Sequence, residues 1–183
     1  MIFDMERHLP IGNTLWSADA AEAALVSILS KVIRDYSEGT VWQSAEEAET
    51  KPDMASTIYR GGMGVLWALD YLGEYIQGEL PFAKPTLADN LYKRFVERDV
   101  KAFTQYSVDG KGCPSYWLGE SGVLLVMSKL QPEAADAYWQ KLLPIVRGNM
   151  KNPTMEPLWG GTGTIVPALF KLEQEDSQQW LEV

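Results

Sequence analysis

At 183 residues, 46% apolar and 22% charged, the chain has the composition of one globular domain large enough to bury a core. A formal charge of −9, with 16 basic residues spread along the sequence, argues against nucleic acid or an anionic membrane as the main partner. No apolar run approaches the roughly 18 residues that a bilayer span needs. The segment Met1 to His8 carries acids where a signal peptide would be basic and then apolar, so a cytoplasmic location is expected. Cys113 is the only cysteine and His8 the only histidine. An internal disulfide is therefore excluded, and a zinc site of three Cys, His or carboxylate ligands is not expected within the chain.

Residues 1–16 read as an N-terminal extension and 17–183 as a single domain. Ser17 is a plausible N-cap. Leu25, Ile28, Leu29, Val32, Ile33 and Tyr36 then follow the steps of three and four that mark one face of a helix. Ser37 to Ala55 is polar and acidic and reads as an irregular connection. Gly61-Gly62-Met63-Gly64 opens the stretch Val65 to Leu72, apolar on nearly every side and so expected in the interior. Pro81 and Pro85 bound a linker, and an amphipathic helix is predicted from about Thr86 to Phe103 with Leu87, Leu91, Phe95, Val100 and Phe103 inward.

The pattern repeats. Gly119-Glu120-Ser121-Gly122 opens Val123 to Met127, and Gln131-Pro132 breaks that stretch. A third amphipathic helix is predicted from about Glu133 to Arg147, burying Tyr138, Trp139, Leu142, Leu143 and Val146. Gly160-Gly161-Thr162-Gly163 opens Thr164 to Phe170, where Pro167 fits only in a first turn and so delays the helix by a residue or two. Trp67 and Met127 fall on the apolar helices and are expected in the core. The glycine pairs start at 61, 119 and 160, at intervals of 58 and 41 residues. No sustained alternation supports strands.

Each unit thus pairs an apolar helix with an amphipathic one that covers it, which makes the chain all-α. Hairpins of this kind stack sideways into solenoids or close into rings, and a partial α/α toroid, an incomplete ring of helical hairpins, is expected. Glycines at the junctions would permit positive φ and a close approach between neighbouring hairpins. Helix N-termini gathered at one end would offer N–H groups to an anion. No strand precedes the glycines and no Gly-Lys-Ser/Thr follows them, which separates them from nucleotide-binding loops.

Tyr59 to Val65, Leu118 to Leu124 and Glu156 to Gly163 together resemble the three Gly-x-x-Gly segments of the LanC-like family, the lanthionine synthetase C-like proteins. The likeness runs from about Ser17 to Leu172. It implies a double ring of helices around a central cavity. It also implies an activity in which bacterial members add a Cys thiol to a dehydrated Ser or Thr of a peptide, with zinc activating the thiol. The family's zinc ligands, two cysteines and a histidine in Cys and Cys-His-Gly motifs, belong to later repeats, as does a further His-Gly motif. Cys113 matches none of them. The chain therefore looks like the N-terminal half of such a protein, without zinc of its own and without a complete catalytic site. The missing half, or self-association through the open ring edge, is the expected partner, and a peptide the expected substrate.

The resemblance carries one catalytic candidate, Glu156, placed to relay a proton. Glu120, Arg60, Trp117 and Trp159 are candidates to line or bind at the cavity, and Gly61, Gly64, Gly119, Gly122, Gly160 and Gly163 are structural. Against each stands a plainer reading: a solvated loop acid for Glu156, a dipole-favoured helix acid for Glu120, a surface ion pair for Arg60. Two further functions remain open, a non-catalytic peptide-binding scaffold and a carbohydrate-active α/α toroid of the six-hairpin glycosidase type. The latter needs two facing carboxylates, for which only Glu120 and Glu156 offer themselves. In an open ring the last inner helix, 164–172, has only Gln174 to Val183 to cover it.

Overall fold

A computed structural model describes residues 15–36, 42, 56–59, 61–99, 114–149, 151–158, 160–175 and 177–182. Among them the secondary structure is all helical, with no strand. The helices are α1 (Ala18–Arg34), α2 (Gly62–Tyr71), α3 (Lys84–Arg94), α4 (Glu120–Leu130), α5 (Ala135–Asn149), α6 (Ile165–Gln174) and α7 (Gln178–Leu181).

Local chemistry explains most boundaries. The Ser17 hydroxyl accepts from the Ala20 N–H at 3.3 Å and caps α1. Pro85 does not end the linker but sits in the first turn of α3, where its missing N–H has no helical partner to lose. The predicted helix 86–103 stops being α-helical at Arg94 and continues as one π-helical turn, Phe95–Asp99. Val100 and Phe103 lie outside the described residues. That turn carries Asp99 into the interior, where its carboxylate accepts from the Ser56 N–H at 3.0 Å. A 3₁₀ turn, Pro132–Ala134, absorbs the break after α4, so α5 starts at Ala135 rather than Glu133. The 3₁₀ turn Gly161–Thr164 likewise delays α6 to Ile165, with Pro167 in its first turn.

The helices form two layers. In the inner layer α2 packs against α4 and α4 against α6; in the outer layer α3 bridges α2 and α4, and α5 bridges α4 and α6. The core divides accordingly. Met63, Leu66, Leu87, Leu91 and Phe95 meet Val123, Val126 and Met127 in one cluster. Leu124 and Leu125 on the other side of α4 meet Trp139, Leu142, Val146 and Trp180 in a second. Each large side chain so buried contributes roughly 1.5–3 kcal/mol, and α4 serves both clusters because it is apolar all round. Trp180, on the short α7, is 2% exposed and stacks edge-on against Trp139 at 5.6 Å.

Two burial expectations are corrected. α2 is buried only on the side of Met63, Leu66 and Leu69, while Ala68 and Tyr71 are exposed and Trp67 is half-buried against Phe170. Among the described residues it has an inner-layer neighbour on one flank only. α1 buries Leu29 alone, and Ile28 on its apolar stripe is 60% exposed. Among the described residues it meets the body at the 3₁₀ turn Gly73–Tyr75 and through an aromatic group: Tyr36 and Trp42 pack on Phe82 at 4.6 and 5.5 Å, and the Trp42 indole N–H donates to the Val32 carbonyl at 2.7 Å. The remainder of the connection 37–55 lies outside the described residues.

Candidate functional site

The three glycine openings share one backbone. Gly61, Gly119 and Gly160 are all N-caps in the extended region, with φ/ψ of −143/−175, −124/−166 and −130/−158°. None has a side-chain capping bond, and in the third opening the Gly161 N–H is taken instead by the Thr154 carbonyl at 3.1 Å. The expectation of positive φ at these glycines is not met. Among the described residues the positive-φ glycine is Gly78, in the α2–α3 linker.

Close approach is what the glycines serve. A Cβ on Gly64 would collide with the carbonyl oxygen of Ile58; on Gly122, with that of Tyr116; on Gly163, with that of Pro157. In each case the colliding carbonyl lies six residues earlier in the chain, where the opening loop folds back across its own helix. Gly160 meets the Thr154 carbonyl in the same way. A backbone oxygen cannot swing aside as a side chain does, so any larger residue must displace the loop.

The loops also grip one another in sequence. The Tyr59 N–H donates to the Trp117 carbonyl at 3.0 Å, and the Ser115 hydroxyl donates to the Leu158 carbonyl. Ile58 Cδ1 lies 2.7 Å, and Tyr116 Cβ 3.3 Å, from where a Cβ on Gly122 or on Gly163 would sit. Ile58 and Tyr116 hold the same place in their loops, so one joint is made twice.

The candidate residues are distributed over this platform. Trp117, 36% exposed, stacks edge-on to Tyr116 at 4.9 Å and to Tyr59 at 6.4 Å. Tyr59 and Trp117 close one end of an apolar cleft of about 880 Å³ between α1 and α2, walled by Ile28 and Leu29 on one side and Val65 and Ala68 on the other. Glu120 is half-buried in the first turn of α4. Burial pushes its carboxyl above the usual carboxylate range, and the charge of Lys141 on the outer helix α5 pulls it partly back. Glu156 turns toward its own loop, where its carboxylate accepts from the Leu158 N–H at 3.0 Å. Arg60, Trp159, Cys113 and His8 lie outside the described residues.

Several residues that order the site gave no signal on their own. Ser115 stands four residues before its glycine, as Glu156 does, and its hydroxyl accepts from the Leu118 N–H at 3.1 Å. Aligning the three openings would have exposed that equivalence and the loop-bracing role it gives Glu156. The third loop is held by a buried amide relay. Asn152 donates to Asn149 at 2.7 Å, and Asn149 to Thr164 at 3.1 Å; the Thr154 N–H in turn donates to Asn152 at 3.0 Å. Single Asn residues carry no pattern that separates such a relay from a surface turn.

Among the described residues no grouping of three His, Cys, Asp or Glu side chains could hold a metal ion. No helix of the described residues is long and apolar enough to cross a membrane. Comparison of the chain with protein-family models, with curated proteins and with solved structures finds no match.

Proposed function

We propose that this chain supplies the zinc-free hairpins of a LanC-like α/α toroid, and that it shapes a peptide-binding cavity rather than completing the thioether chemistry alone. One observation carries the reading: three Gly-x-x-Gly openings of one backbone geometry, each closing on a carbonyl six residues back, stacked in sequence order. Glu156 belongs to the third opening and is the group proposed to move a proton at the peptide, in the general acid–base sense. The zinc-bearing hairpins would come from a second segment, and the substrate class is a peptide with a Cys thiol and a dehydrated Ser or Thr.

The test combines this chain with a segment bearing the Cys, Cys-His-Gly and His-Gly motifs and a dehydrated, Cys-containing peptide. Thioether formation, followed by loss of free thiol, is expected only with both parts present. Glu156→Gln keeps an oxygen for the Leu158 N–H and removes the titrating group, so it should cut cyclisation at least about tenfold with unchanged folding. Cyclisation indifferent to Glu156→Gln would remove the residue's role, and tight stoichiometric zinc on this chain alone would overturn the division of labour.

The scaffold reading draws on the apolar cleft between α1 and α2, which calorimetry with unmodified peptide would test. A glycosidase reading is less well supported. Glu120 senses Lys141 of the outer layer while Glu156 braces its own loop, and nothing places the two carboxylates across one gap.

A further inference from the structure

The joint between neighbouring hairpins is made twice inside the chain, and its two halves are left open at opposite edges. On the inner helices, the positions that face the preceding hairpin are Gly64, Val65 and Ala68 in α2. Their equivalents are Gly122, Val123 and Val126 in the second opening and Gly163, Thr164 and Pro167 in the third. The second and third sets are buried; in the first set Gly64 and Val65 are half-buried and Ala68 is exposed. The positions that face the following hairpin are Met63 and Leu66 in the first opening and Ser121 and Leu124 in the second, all buried. Their equivalents in the third are Thr162, exposed, and Ile165, 51% exposed; Leu169, one turn further on, is 55% exposed.

The loops tell the same story. Tyr116 is buried and Ile58 half-buried in the joints they form with Gly122 and Gly163, whereas Pro157, the third residue in that place, is exposed. The outer layer agrees as well. α3 bridges α2 and α4, and α5 bridges α4 and α6. α1 would bridge α2 and a helix lying in the cleft between them. That cleft, about 880 Å³, has the volume of roughly two turns of a helix about 10 Å across.

We infer that the cleft between α1 and α2 is a socket for the α6 edge of a second copy of this chain. Pro157 of that copy would come to rest on Gly64, as Tyr116 rests on Gly163, and Ile165 and Leu169 would face Val65 and Ala68. Both halves of the joint are present in one chain, and the two internal joints show the way in which such halves meet. The contact is heterologous, head to tail, so it propagates until its rotation closes a ring or it continues as a filament. This rests on the open-ring part of the proposed function and not on its chemistry.

Ala68→Glu disables the socket and Leu169→Glu the inserted edge; both residues are exposed, so folding should persist by circular dichroism. Light scattering of the wild-type chain should show mass rising with concentration beyond one chain. Each variant alone should stay at the mass of one chain, while their mixture should form a one-to-one dimer, because one intact joint remains between them. A chain carrying Ala68→Cys and Leu169→Cys in a Cys113→Ser background should form a disulfide between copies when it assembles. A wild-type chain that stays at one chain's mass to about 100 times a micromolar Kd overturns the inference. So do oligomers insensitive to both variants, or a mixture of variants that never pairs. A chain that ignores its own copies yet is captured by a zinc-bearing LanC-like segment overturns the self-pairing and leaves the proposed function standing. Self-assembly without any thioether formation does the reverse.

Discussion

α4 and α1 mark the two extremes of packing in this molecule. Nine of the 11 residues of α4 are buried, against one of the 17 in α1. Yet α1 has the cleaner two-faced sequence, with its cap, its acidic first turn and its basic last turn all in place. The contrast separates two things that apolar patterning encodes. A stripe says which face of a helix needs a neighbour, while apolarity on every side says that the helix needs neighbours all round. α2 is the informative intermediate: its sequence asks for burial as α4's does, but among the described residues it has an inner-layer neighbour on one flank only.

The largest effect should come from the joint itself. Gly122→Ala drives a methyl into the Tyr116 carbonyl and toward Ile58 in the centre of the stack, and is expected to cost more than about 3 kcal/mol. Gly64→Ala makes the same collision with Ile58 at the open edge, where the loop can yield, and should cost clearly less. Urea denaturation midpoints of the two variants test whether centre and edge differ as described. Equal losses would mean that the edge loop is as tightly held as the central one.

Next, Leu124→Ala on α4 should cost about 3 kcal/mol, whereas Ile28→Ala on α1 should stay within about 0.5 kcal/mol. Thermal and urea unfolding would read both. A large loss at Ile28 would show that the α1 stripe is covered in solution.

Asn149→Ala leaves Asn152 and Thr164 with buried polar atoms that have lost a partner, and about 2 kcal/mol should go with them. Hydrogen exchange should place the damage in the 152–164 loop rather than in α4.

The smallest effect concerns Glu120. Burial raises its carboxyl in the folded state, so the folded chain binds that proton more tightly than the unfolded chain does. Its contribution to stability is present below the ordinary carboxylate pKa and is lost as pH rises through the raised value. Glu120→Gln should therefore stabilise the protein modestly at neutral pH and make little difference at about pH 4. A loss of stability at neutral pH would mean that the Lys141 charge and the α4 N-terminus outweigh desolvation.

Much of the fold was legible in the sequence because it is built from local signals. Ser17 as a cap, Pro167 delaying α6, and Leu87 and Leu91 on one face of α3 with Phe95 just beyond it are consequences of spacing within a few residues. The glycine openings were legible as a repeat, but their mechanism was not. Positive φ and close approach both call for glycine, and a sequence cannot say which applies until the loop's return path is known. The π-helical turn that buries Asp99 was invisible for a related reason: its value lies in the Ser56 N–H, 43 positions away. At the candidate site, Glu156 and Glu120 were visible as acids beside glycines. Glu156 braces its loop by accepting from the Leu158 N–H, and Glu120 is raised by burial against the opposing charge of Lys141; which of these an acid beside a glycine does depends on the fold around it.

The aromatic hold on α1 has a consequence for how the molecule comes apart. A helix with Leu29 its one buried residue, held among the described residues by Tyr36, Trp42 and Phe82 and by the turn Gly73–Tyr75, has an opening free energy set by those few contacts rather than by the whole core. α1 should therefore behave as its own cooperative unit, releasing and redocking many times while α4 keeps its amides protected. Each release frees the Trp42 indole from the Val32 carbonyl and bares the α2 wall of the cleft. The cleft, whose α2 wall is already exposed at Ala68, then loses its opposite wall each time this single helix lets go.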